Sequence, residues 1–128
     1  MKKLFVSVPM KGRTEEEIKA SIQKMKKIAE IYEGEELKLI DSYTKSTSPK
    51  DSKEAVWHLG ERLKKLARAD VFIGIDEVHN WNGCYIERDT AQSYGIKTYI
   101  APARYVIDDY NALVQKLYSA CNEAMPTF

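Results

Sequence analysis

Two kinds of apolar pattern alternate along this chain. Leu4-Phe5-Val6-Ser7-Val8 is a short, nearly continuous apolar run that Pro9-Met10-Lys11-Gly12-Arg13 interrupts. Ile18, Ile22, Met25, Ala29 and Tyr32 then recur at helical spacing. Thr14 and Glu17 ahead of them predict a capping box, and Gly34 behind them predicts the helix end. Leu37-Lys38-Leu39-Ile40 reads as a second strand, ending near Asp41-Ser42-Tyr43. The Ser-, Thr-, Lys- and Pro-rich segment Thr44 to Ser52 predicts an exposed loop. Val56, Leu59, Leu63 and Leu66 form a second helical stripe.

Val71-Phe72-Ile73-Gly74-Ile75 lacks any polar alternation, which predicts a strand buried on both faces, as in a parallel sheet. Asp76 to Gly83 reads as a polar loop, Cys84 to Tyr94 as a helix stopped by Gly95, and Lys97-Thr98-Tyr99-Ile100 as a fourth strand. A last helix turns Tyr110, Leu113, Leu117 and Ala120 inward. The order βαβαβαβα with short links predicts one α/β domain, a parallel sheet covered by helices through right-handed crossovers. Ligands of such sheets sit at the carboxyl ends of the strands, near the switch in strand order. Pro9–Arg13, Asp41–Thr44 and Asp76–Gly83 are the loops expected there.

Composition narrows the function classes. The 128 residues, 44% apolar and 30% charged, suit a single packed core and argue against disorder. A net charge of +1 leaves no broad footprint for a nucleic acid polymer or a membrane. Lys19, Lys24, Lys26 and Lys27 follow glutamates and read as a solvated helix face. No apolar run is long enough to span a bilayer, and Met1–Met10 lacks the apolar core of a signal peptide, so the cytoplasm is the expected location. Cys84 and Cys121 form no CxxC pair, and His58 and His79 have no zinc spacing, so neither a metal nor another cofactor is expected.

Two loops carry candidate chemistry. Ser7 to Thr14 runs from strand to helix, where free amides and the helix dipole attract an anion. Lys11 and Arg13 add charge, and Gly12 permits close backbone approach. It matches neither GxxxxGK[ST] nor GxGxxG, and an ordinary capped turn explains it equally well. In Asn80-Trp81-Asn82-Gly83-Cys84-Tyr85-Ile86-Glu87 the pattern places Glu87 in the first turn of a helix, where the positive end favours its ionised form. Such a carboxylate suits a nucleophile or a stabiliser of a sugar cation, although the dipole alone accounts for a glutamate there. Cys84 near the helix start is a second nucleophile candidate, but Thr90 stands where a phosphatase loop needs arginine, and a small structural cysteine is the simpler reading.

Several short motifs together resemble one family. They are Phe5-Val6-Ser7 with Pro9-Met10-Lys11-Gly12, Trp57-His58-Leu59-Gly60, Ala69-Asp70 before a strand, and Gly83-Cys84-Tyr85-Ile86-Glu87 followed by Ala91 and Tyr94-Gly95-Ile96. In this order and spacing the chain is similar to the nucleoside 2-deoxyribosyltransferase-like superfamily, in particular its small bacterial and phage branch, over nearly all of residues 1–128. The resemblance implies a flavodoxin-like (Rossmann-like) three-layer sandwich. It also implies cleavage or transfer at the N-glycosidic bond of a deoxynucleoside or deoxynucleoside 5′-monophosphate.

By motif, Glu87 is the residue that attacks the sugar C1′. Asp76 is the candidate for hydroxyl binding or proton transfer. Ser7, Met10, Lys11 and Gly12 are expected at the sugar or its 5′-phosphate, Tyr43 and Trp81 against the base, and Asn82 and Gly83 beside them. The chain departs from the family where an Asp or Ser usually precedes the glutamate, since Asn80-Trp81-Asn82 stands there. It departs again where the helix before the third strand usually carries an aspartate, since Glu61 and Arg62 stand there. Asp70 matches an aspartate that positions structure.

The partners implied are a small nucleoside or nucleotide and a further copy of the chain, a homo-oligomer touching through residues such as Trp57 and Tyr105. A module that senses a nucleotide without turnover and a glycohydrolase acting on NAD are the alternatives.

Overall fold

The short apolar runs become strands because both their faces find cover. The computed structural model describes residues 1–42 and 47–124, with side chains up to residue 119. Strands β1 (Lys3–Val6), β2 (Lys38–Leu39), β3 (Val71–Ile75) and β4 (Lys97–Ala101) form one sheet, every pair parallel, in the order β2-β1-β3-β4. Around it lie helices α1 (Glu15–Glu33), α2 (Glu54–Leu66), α3 (Asn82–Ser93), α4 (Ala103–Val106) and α5 (Tyr110–Ala124). This is the expected α/β architecture, a flavodoxin-like fold of three layers.

The two-residue period of the strands divides the core. Leu4, Val6, Val71, Ile73 and Ile75 join Ile18, Ile22, Met25 and Ala29 of α1 and Tyr110 and Leu113 of α5 in one buried cluster. Phe5 and Phe72 point the other way and meet Leu66 of α2 and Ala91 of α3. Their rings stack with centroids 6.0 Å apart. Gly74 leaves room for this pair, because a Cβ there would lie 2.9 Å from the Phe72 ring.

Helix α1 begins as its sequence dictates. The Glu17 N–H donates to Thr14 Oγ1 (3.1 Å), and the Thr14 N–H donates back to Glu17 Oε1 (2.8 Å). Gly34 closes the helix in the left-handed region at φ 75°. Thr14→Ala removes one arm of this box and is expected to cost about 1 kcal/mol. A lower urea midpoint at unchanged slope is the signature, and an unchanged midpoint counts against it.

Several differences from the sequence expectation have clear causes. Helix α2 sits shallowly: Val56 is 66% exposed, and among its residues only Leu66 is fully covered. The polar loop after β3 contains a 3₁₀ turn at Val78–Asn80, and α3 starts at Asn82 rather than Cys84. Arg13 does not offer its charge to a ligand. Its side chain is fully buried, donating to Asp109 Oδ1 (2.8 Å), Ser21 Oγ (2.7 Å) and the Pro9 carbonyl (2.9 Å), and so staples the β1–α1 turn to the start of α5. Gly12, at φ 78°, supplies the left-handed residue that turn requires.

At the amino ends of the strands, Glu33 accepts from Tyr99 Oη (2.7 Å) and pairs with Lys97 (2.8 Å) and Lys2 (3.0 Å). These donors, Lys97 first, lower its pKa to about 2. Asp70 serves the same end, its Oδ2 accepting the Lys3 N–H at 2.8 Å. No described helix is long and apolar enough to cross a membrane.

Candidate functional site

The switch in strand order falls between β1 and β3, and the ends of these two strands are where ligands of parallel sheets usually sit. Ser7 follows β1, and its N–H still donates to the Ile73 carbonyl (2.9 Å), carrying the pairing one residue past the strand. Helix α3, entered from β3, turns Cys84, Glu87 and Ala91 inward at three- and four-residue spacing. The Ser7 hydroxyl donates to Glu87 Oε1 at 2.6 Å. Both side chains are 0% exposed.

The sequence pattern predicts Glu87 in the first helical turn, but the structure places it further along. With α3 beginning at Asn82, Glu87 is its sixth residue, in the second turn, where the helix dipole has largely faded. The counter-charge comes from Arg62 of α2 instead. Arg62 Nη2 donates to Glu87 Oε1 at 2.9 Å, and Nε lies 2.8 Å from Oε2. That second approach is an ion pair without a hydrogen bond, since the N–H is not aimed at the oxygen. Nε and Oε2 are both buried, and neither has a hydrogen-bond partner.

Burial raises the Glu87 pKa above the ordinary value, and the Arg62 charge and the Ser7 hydrogen bond pull against it. The expectation that the helix end fixes an ionised carboxylate therefore gives way to a balance between burial and one guanidinium. Cys84, one turn earlier, has its thiol pushed up to about 12 by burial and by the Glu87 charge. It stays a thiol at neutral pH, which removes the nucleophilic reading and leaves the structural one.

The other expected site residues lie around the same end of the sheet. Asp76 follows β3, is exposed, and accepts the Ala103 N–H at Oδ1 (2.8 Å), which caps α4. Lys11 and Gly12 are exposed in the first loop, where the Gly12 carbonyl accepts from Lys116 Nζ (3.2 Å). Met10 is half-buried against the larger core cluster. Trp81 is half-buried too, its ring edge-on to Tyr110 at 6.4 Å. Asn82 is exposed and Gly83 half-buried at the start of α3. Tyr43 lies outside the described residues. Of these residues, only Ser7 hydrogen-bonds to Glu87.

Arg62 is the participant that sequence reasoning did not assign. A signal for it exists: Arg62 stands three residues after Leu59 and four before Leu66, on the same helical face as the apolar stripe. A permanently charged residue at a core-facing position needs a buried partner, and the structure supplies Glu87. Among the described residues no three His, Cys, Asp or Glu side chains are grouped to hold a metal ion.

Fold and site together define an α/β domain with an ion-paired glutamate at the switch point of a parallel sheet. Compared with protein-family models, with curated proteins and with solved structures, the chain matches none.

Proposed function

We propose that this protein cleaves the N-glycosidic bond of a deoxynucleoside or deoxynucleoside 5′-monophosphate, with Glu87 as the nucleophile. The observation that supports this most is the buried Glu87 carboxylate at the sheet's carboxyl end, held by Ser7 and Arg62, with one oxygen free of hydrogen bonds.

In the first step a Glu87 oxygen bonds to C1′ and the C1′–N bond breaks. The bonding pair leaves with the base, which takes up a proton. In the second step a water oxygen bonds to C1′, the sugar–Glu87 bond returns its pair to the carboxylate, and the water gives up a proton. A second nucleobase in place of water makes the reaction a transfer. This is the two-step route of retaining glycosidases. Lys11 at the first loop suits a 5′-phosphate, and Trp81, half-buried beside Tyr110, is the aromatic residue suited to a base.

A second reading is favoured by the complete burial of Glu87. The Ser7–Glu87–Arg62 network is then an internal clasp, and the domain binds a nucleotide without turnover. Incubation with a panel of nucleosides, deoxynucleotides and NAD, followed by chromatography, separates the two. Free base released from a deoxynucleoside or its monophosphate is the expected result. Tight binding with no base released selects the clasp, and release from NAD alone selects a different glycohydrolase.

A further inference from the structure

We propose that Arg62 is a positioning residue that holds the Glu87 carboxylate charged and oriented for attack. This rests on the catalytic reading above. Oε1 accepts two protein donors, Ser7 Oγ at 2.6 Å and Arg62 Nη2 at 2.9 Å. Oε2 is buried and accepts no hydrogen bond, yet Arg62 Nε lies 2.8 Å from it, so the guanidinium spans both oxygens. The carboxylate is thus held from two sides, by the Ser7 hydroxyl and by a guanidinium that spans it.

The three residues of this network come from separate elements: Ser7 after β1, Arg62 from α2, Glu87 from α3. The guanidinium is turned inward, its side chain 14% exposed and two of its nitrogens against the carboxylate. Its contacts serve Glu87 rather than an incoming phosphate. In the second step the departing carboxylate regains its negative charge beside this cation, which stabilises it as a leaving group. Among the described residues, the groups facing Glu87 are Ser7, Arg62 and the neutral Cys84 thiol. Arg62 is the charged one.

The test is base release from a deoxynucleoside across pH 4 to 9 by wild type, Arg62→Gln and Arg62→Lys. Arg62→Gln is expected to lower kcat by roughly 10²-fold, the scale of a misplaced reacting group. Its acid limb is expected to move up by about one to three pH units, because an opposite charge has gone. Arg62→Lys keeps the charge but not the planar fork, so its limb stays near wild type while kcat still falls at little-changed KM.

Arg62→Gln with the wild-type limb and rate overturns the proposal. Equal losses in both variants with the limb unmoved also overturn it, by showing a merely structural role. If Arg62→Gln does not fold, Arg62→Lys decides: a loss confined to KM refutes positioning. Failure of wild type to release any base overturns the catalytic reading itself, an outcome distinct from these.

Discussion

Glu87→Gln is expected to lower base release by roughly 10⁴-fold or more, the scale seen when a catalytic nucleophile is removed and binding is left intact. The amide has nearly the same volume as the carboxylate, which matters at a fully buried position. Its oxygen still accepts from Ser7 Oγ and Arg62 Nη2, so the anchor survives while the nucleophile is lost. Arg62 loses its counter-charge, but its side chain keeps 14% exposure and some access to water. The stability cost should therefore be about 2 kcal/mol, below that of a wholly buried pair. Single-turnover chromatography and urea unfolding of one preparation read both quantities. A folded variant that keeps a tenth of the wild-type rate removes Glu87 from the chemistry, and one that fails to fold shows the site to be a structural clasp.

Much of the architecture was legible because local rules and burial agreed. The unbroken apolar run Val71–Ile75 signals a strand covered on both faces, and β3 lies between β1 and β4 with five buried residues. Thr14, Glu17 and Gly34 mark both ends of α1 through backbone hydrogen bonds that involve residues a few positions apart. Failures arise where tertiary contacts decide. Helix α3 starts at Asn82 with no side-chain cap at Trp81, so no capping residue announces its first turn and the sequence pattern puts Glu87 one turn too early. Arg13 looks like a free cation in sequence, yet Asp109, its partner, lies 96 positions away. The stripe Val56, Leu59, Leu63 and Leu66 predicts an amphipathic α2, and of these four Leu66 is fully covered while Val56 stays 66% exposed.

The site divides the same way. Ser7 and Glu87 stand in short motifs of the first and third strand–helix units, and the parallel sheet brings together what 80 positions of chain separate. Arg62 stands in none of them, and its role depends on how α2 lies against α3. One clue was available, a charge within an apolar stripe, and reading that stripe as purely amphipathic passes over it. The lesson concerns polar residues at core-facing positions. A buried ion pair is costly to form, so where one occurs at a sheet's switch point it marks the place to look for chemistry.

Arg62→Met is the second large effect expected, and it falls on stability. Methionine fills much the same space but leaves the buried Glu87 with one hydroxyl donor and no cation. Breaking a buried pair from one side costs about 3–5 kcal/mol near neutral pH. The double variant Arg62→Met/Glu87→Leu should recover most of that loss, since no buried charge is left unpaired. The pH dependence follows from the direction of the Glu87 shift. Its folded pKa lies above the ordinary value because of burial, and removing Arg62 raises it further. A folded state that holds its proton more tightly than the unfolded chain is favoured at low pH and loses that advantage as pH rises through the folded pKa. The stability gap between wild type and Arg62→Met should therefore narrow as pH falls from 8 toward 5. Taking the difference cancels the acid-sensitive contributions of Glu33, Glu30 and Asp109, whose depressed pKa values act alike in both proteins. Urea midpoints at four pH values suffice, and a gap that stays constant over this range would mean that the Glu87 charge is not what Arg62 holds in place.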